Sequence, residues 1–421
     1  LTGQFPKEKI MGKPDKKLSI AIGILLFVML TACSIQQETN VIVIRNGLLF
    51  KATGDPPIPN GAVVIKNGLI SAVGPESELQ IPEGATIVDA EGGTIMPGLI
   101  EGRASTLINE IDISEGQISE TDLNLFLVRP LQAGITTIRA IGWDYATHSD
   151  LSEMREALET YGNTIPTLVF AGVITHAEGN VFAIYSDDSI GVLDREEAQK
   201  ATEDLIQSGV DQVGYLQPIP PDYRAINAEL IGLSIELQSA MVELAHQKGL
   251  RVLAQTSFPE DTAVAIAAGV DEIIGWPHGS EEPLSNELIQ ALVDNSVKVM
   301  TGFSVDVIRP YEDDVRRFID AGGIVVFGTF APNSTALDRP AYEMSLMATY
   351  GKMTPEEILM AATVNAADAV GLGDVVGTLE VNKQADIIIV QGDPLNDIYL
   401  MRNIHTVIKA GEIVFQADSE D

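Results

Sequence analysis

Residues Gly93 to Thr106 read GTIMPGLIEGRAST, and the character of the chain changes inside this stretch. Upstream, VIVIRNGLLF (41–50), GAVVIKNGLISAVG (61–74) and ATIVDAEGG (85–93) are short apolar runs punctuated by Asn-Gly and Gly-Pro turn signals. That pattern predicts a small all-β unit over 41–94. Downstream, β-branched runs alternate with segments of helical period, the mark of a parallel sheet covered by helices. Eight candidate strands follow: IMPGLIEG (95–102), ITTIRAIG (135–142), PTLVFAGVI (166–174), VDQVGYL (210–216), RVLAQTS (251–257), EIIGWPH (272–278), KVMTGFS (298–304) and GIVVFGTF (323–330).

Between them, LSIELQSAMVELAHQKG and SNELIQALVDN carry apolar residues at helical spacing. TPEEILMAATVNAADAVG opens with Thr354, Pro355 and Glu357, a capping-box start. Eight strands and their helices predict an α/β fold, a (β/α)8 barrel of the size usual for that architecture, about 250 residues. A doubly wound open sheet is the alternative, but no Gly-x-Gly-x-x-Gly follows the first strand. After the barrel, VVGTLEVNKQADIIIVQGDPL and TVIKAGEIVF return to short strands. The predicted organisation is therefore a barrel over 95–374, with a small split β-sandwich domain formed from its flanks, 41–94 and 375–421.

The chain has 421 residues, 45% hydrophobic and 20% charged, which excludes a disordered protein. Its net charge of −34 argues against nucleic acid and against electrostatic docking on anionic lipid. A single cysteine, Cys33, excludes an intrachain disulfide and a cysteine zinc cluster. Lys13, Lys16 and Lys17 precede the apolar run LSIAIGILLFVMLTA (18–32), which is short for a membrane span. Leu30-Thr31-Ala32-Cys33 resembles the bacterial lipobox. The resemblance implies a signal peptide over 1–32, lipid attachment at Cys33, a polar tether over 33–40, and an exported protein anchored in the cell envelope. In a Gram-negative cell it would face the periplasm from the outer membrane. An uncleaved N-terminal anchor helix is the other interpretation of the same run.

MTPEEILMAATVNAADAVGLGDVVGTLEVNKQADIIIVQGDPL resembles the C-terminal part of amidohydrolases of the imidazolonepropionase-like branch, and IKNGLISAVG and TIMPGLIEG are similar to that family's start. AGITTIRAIG, AHQKGLRVLAQ and AAGVDEIIG extend the likeness over nearly all of the chain beyond Cys33. The resemblance implies hydrolysis of C–N bonds by one or two divalent metals such as Zn²⁺, held at the C-terminal mouth of the barrel. It also implies the ligand positions: two His on strand 1, a Lys or Glu on strand 4, one His each on strands 5 and 6, and a proton-accepting Asp on strand 8. Here those positions read Arg103 and Ser105, Gly214, Gln255, Gly275 and Phe330. No usual ligand remains, and Arg103 brings a permanent cation to a metal's place. No metal cofactor is expected.

Among the histidines, His246 lies on a helix before strand 5, His405 in the C-terminal strands and His148 in a loop after strand 2. His176 and His278 follow strands 3 and 6, where Glu178 and Asp144 could join them in a rewired metal site, and His278 could serve Ser105 as a base. Trp276, Phe303 and Phe330 suggest an apolar mouth. Beside a purely structural envelope protein, which ligand screening would discriminate, two functional expectations stay open. One is a binding or partner protein that has lost the metal site, its partner a small ligand or an intact paralogue, with homo-oligomers possible. The other is an active hydrolase of peptide or non-peptide C–N bonds using a rewired site.

Overall fold

The structure is a computed structural model, and it describes residues 41–105, 113–114, 117–142, 151–176, 190–217, 232–277, 282–303, 313–329 and 339–417. Cys33 and the whole of 1–40, with Asp144, His148, Glu178, His278 and Phe330, lie outside the described residues.

In chain order the strands are β1 (Val41–Leu49), β2 (Ile58–Lys66), β3 (Leu69–Pro75), β4 (Thr86–Asp89), β5 (Thr94–Pro97), β6 (Leu99–Ser105), β7 (Ile113–Ser114), β8 (Gln117–Ile118), β9 (Ile135–Gly142), β10 (Thr167–His176), β11 (Ile190–Val192), β12 (Gln212–Leu216), β13 (Arg251–Gln255), β14 (Glu272–Ile274), β15 (Lys298–Met300), β16 (Val325–Val326), β17 (Ile387–Val390), β18 (Ile404–Lys409) and β19 (Glu412–Gln416). They form two principal sheets. The first runs β19-β18-β17-β5-β1-β2-β3, with β4 on β1, so both flanks of the chain share one mixed sheet. The second is parallel, in the order β16-β15-β14-β13-β12-β10-β9-β6, with β11 on β10. The Gly102 N–H donates to the Phe327 carbonyl (3.1 Å), which carries the ring from its last strand back to its first. A Cβ at Gly102 would collide with that same carbonyl, so the close approach needs glycine. The (β/α)8 barrel and its split β-companion are thus present as expected.

One boundary differs. IMPGLIEG does not form one strand: Thr94–Pro97 pairs with β1 and β17 in the flanking sheet, and the barrel's first strand begins at Leu99. The chain crosses between sheets at Gly98, whose N–H donates to the Asp386 carbonyl of the flanking sheet and which abuts Thr136 of the barrel.

Helices form where the apolar period and caps coincide. Helix Ile235–Gln247 starts at Ser234, whose hydroxyl accepts the Leu237 N–H, and Asn286–Asp294 starts likewise at Ser285. The Thr354/Glu357 capping box is complete. That helix stops at Ala361 and a second runs Val364–Ala369. The break frees two carbonyls for the barrel: Ala361 accepts from Phe327 N–H and Ala362 from Ile100 N–H. Among the described residues no helix is long and apolar enough to cross a membrane.

Strand β17 shows how the sheets pack. Ile387 and Ile389 join the small core with Ile42, Ile44 and Ile65, while Ile388 and Val390 join the barrel core. All four are buried, because the flanking sheet is covered on both faces at this strand.

Candidate functional site

Glu101 and Arg103 stand two apart near the end of β6, and both are buried. Glu101 Oε1 accepts two backbone N–H groups, from Arg103 (2.8 Å) and from Thr329 just after β16 (2.9 Å). Oε2 is buried and has no partner among the described residues. Burial pushes this carboxyl up to about 8, and the neighbouring Glu343 carboxylate adds to the rise; the two N–H donors and the Thr329 hydroxyl oppose it. At neutral pH the group is therefore mostly protonated. The Arg103 guanidinium is lowered to about 9 by burial and by repulsion from Arg139, against the attraction of Glu101. It remains a cation at pH 7.

Glu343 comes from helix Pro340–Tyr350 and is buried, with Oε1 accepting the Phe303 N–H (2.7 Å) after β15. Sequence reasoning missed this residue. Its only signal was one acid inside the run PAYEMSLM.

Below this cluster the barrel interior holds a second charged group. Arg139 on β9 meets Glu272 on β14 in a two-pronged pair, Nη1 to Oε2 and Nη2 to Oε1, each 2.7 Å. Its Nε donates to the Gly102 carbonyl (2.6 Å), and Nη1 also reaches Gln212 Oε1 (3.2 Å). Gln212 in turn donates to the Ala369 carbonyl (2.8 Å). The guanidinium is thus saturated on several sides, which is what a buried charge requires.

The remaining expected positions offer little. Gly214 lies on the same face of β12 as Gln212, and a Cβ there would already stand 3.3 Å from Leu253 Cδ1. A lysine in its place would displace that packing. Gln255 ends β13 half-buried and can supply only a neutral amide. Gly275 follows β14 with φ of +88°, a left-handed turn that suits glycine. The backbone of Ser105 is at the end of β6. His176 closes β10 half-buried, on the alternation row of Gly172, whose neighbour is Leu205 of helix Arg195–Ser208. Its proposed companions His278, Glu178 and Asp144 lie outside the described residues. His246 pairs with Asp271 (2.9 Å) and His405 with Thr406 (2.8 Å), both structural contacts away from the Glu101–Arg103 cluster. Trp276 is buried edge-on against Phe318, 5.9 Å between ring centres, and Phe303 is buried too.

A divalent metal does not fit this donor set. Among the described residues no group of three or more His, Cys, Asp or Glu is arranged to hold one. At the expected positions there is one neutral amide, two glycines without side chains, and a buried cation that would repel the ion.

The sequence profile of the amidohydrolase family matches residues 224–414. The imidazolonepropionase of Geobacillus kaustophilus is 26% identical over 405 residues, covering 85% of this chain and 90% of that protein. The imidazolonepropionase of Geobacillus thermodenitrificans is 27% identical over 406 residues with the same coverage. Among solved structures, ochratoxinase of A. niger superposes with a TM-score of 0.73 at 21% identity, over 90% of this chain and 96% of that one. A putative prolidase from Bifidobacterium longum gives 0.72 at 22%, over 91% and 96%. The chain thus has the fold of these proteins, and its sequence is similar to the amidohydrolase family over residues 224–414 and to imidazolonepropionases over most of its length.

Proposed function

We propose that this chain is a binding or partner protein on an amidohydrolase barrel, with the metal-dependent hydrolase chemistry lost. The observation that carries this function is Arg103. A buried guanidinium occupies the first strand beside a largely protonated Glu101, at the place where the family resemblance puts metal-binding histidines. A protonated acid and a fixed cation supply neither ligand charge nor a general base at neutral pH. What they offer is a polar floor for a small ligand, or a rigid scaffold for an intact paralogue or a second copy of the chain.

Elemental mass spectrometry of the full chain, incubated with Zn²⁺ and Mn²⁺ and desalted, tests this. Less than about a tenth of an equivalent is expected, since the charged, neutral and absent donors give no tight site. A near-stoichiometric metal that disappears in His278→Ala or His176→Ala would establish the rewired hydrolase instead. We further propose that Cys33 carries a lipid and holds the exported protein at the cell envelope. Expressed in a bacterium, the chain should then partition with membranes and its Cys33→Ala variant should not; equal partitioning of both would refute the anchor.

A further inference from the structure

A cavity of about 480 Å³ lies between the first turns of helix Pro340–Tyr350, the 3-10 turn Ile398–Arg402 and the outer strands β18 and β19. Neither Glu101 nor Arg103 lines it. Its walls are largely apolar and aromatic, with Tyr342, Tyr399, Met401 and Phe415. Tyr342 is 56% exposed and Tyr399 52%, so two large aromatic side chains are left in solvent around one hollow. A cavity of this size and lining is of the kind that small molecules occupy, roughly 300–1,000 Å³.

The polar groups in the lining are lopsided. Arg339 and Arg402 both contribute, and neither Asp nor Glu does. The chain as a whole has 60 acidic residues and 26 Lys and Arg. On so acidic a molecule an arginine rarely lacks a carboxylate to pair with. Arg339 has an interaction of its own. Arg402 is exposed, and among the described residues no carboxylate pairs with it. A guanidinium presents a planar fork that matches a carboxylate or sulfonate with two parallel hydrogen bonds. The surrounding rings would take an apolar body, and their faces also favour a cation nearby.

We propose that this cavity binds a small organic anion, a carboxylate or sulfonate carried on an aromatic or aliphatic body, with Arg402 as its charge partner. The site is separate from the barrel cluster and does not depend on the loss of the metal.

The test is a titration of the full chain with 8-anilinonaphthalene-1-sulfonate, run beside N-phenyl-1-naphthylamine, which has the same apolar body without the charge. The sulfonate should bind saturably and be displaced by octanoate. Arg402→Gln should weaken the sulfonate about tenfold, the loss of one charge-assisted contact, and leave the neutral probe unchanged. Tyr399→Ala should weaken both probes. Because Arg402 and Tyr399 are exposed, circular dichroism should show both variants folded, and Arg402→Lys gives an intermediate affinity if the glutamine variant is poorly soluble. Absence of saturable sulfonate binding overturns the proposal. So does a sulfonate affinity that Arg402→Gln leaves unchanged.

Discussion

Glu101 is held by two backbone donors on one oxygen and by nothing among the described residues on the other. Its folded carboxyl titrates near 8, against an ordinary value of 4.5. Between those two pH values the folded protein keeps a proton that the unfolded chain has released. Stability therefore falls as pH rises through this window and levels off above it, by an amount on the order of 5 kcal/mol if the whole shift is realised. Arg103 titrates near 9 when folded, well below its value in the unfolded chain, so its effect has the opposite sign and appears only at higher pH. Glu101→Gln imitates the protonated acid. Urea unfolding at pH 5 and pH 8 should show a marked loss of stability for the parent chain and a much smaller loss for the variant. Equal losses in the two proteins would mean that Glu101 is ionised in the fold. Little of this was legible beforehand. The replacement of histidine by Arg103 could be seen in the sequence, but the approach of Glu343 to Glu101 spans 242 positions and leaves no local trace.

At the level of elements, the sequence pattern carries well wherever local chemistry decides. The capping box at Thr354 and Glu357 is an example, with both reciprocal hydrogen bonds formed. Thr354→Ala should cost about 1 kcal/mol, read as a lower midpoint in thermal or urea unfolding with unchanged cooperativity. A neutral result would show that Pro355 and the packing of Ile358 and Leu359 hold this helix without the cap. The pattern fails where tertiary partners decide. The apolar period runs straight through Ala362 and Thr363, yet the helix breaks there, because two barrel strands need its carbonyls. IMPGLIEG likewise shows no internal boundary. Its division at Gly98 follows from Met96 pairing with Ile388, a residue almost three hundred positions away.

For the whole molecule, the ring of parallel strands and the sheet shared by both flanks were legible, because alternation and turn residues are repeated many times over. The charged interior of the ring was not, although Arg139 and Glu272 sit in recognisable strands. A lone acid or base in a strand usually points to solvent. Only closure of the barrel turns these two toward each other. Removing one partner, as in Arg139→Met or Glu272→Leu, should destabilise by roughly 3–5 kcal/mol. The double replacement should cost less than the sum, and calorimetry of the four proteins measures the difference. Additive losses would mean that the two groups contribute separately.

That same pair has a consequence for how the chain becomes ordered. Arg139 belongs to the first half of the ring and Glu272 to the second. A half-barrel formed alone would hold the guanidinium on Gly102 and Gln212 without its counter-charge, or the carboxylate without its cation, and neither half is a favourable resting place. The expected outcome is all-or-none order in the ring, with strands 133 residues apart surrendering or gaining their protection from hydrogen exchange together.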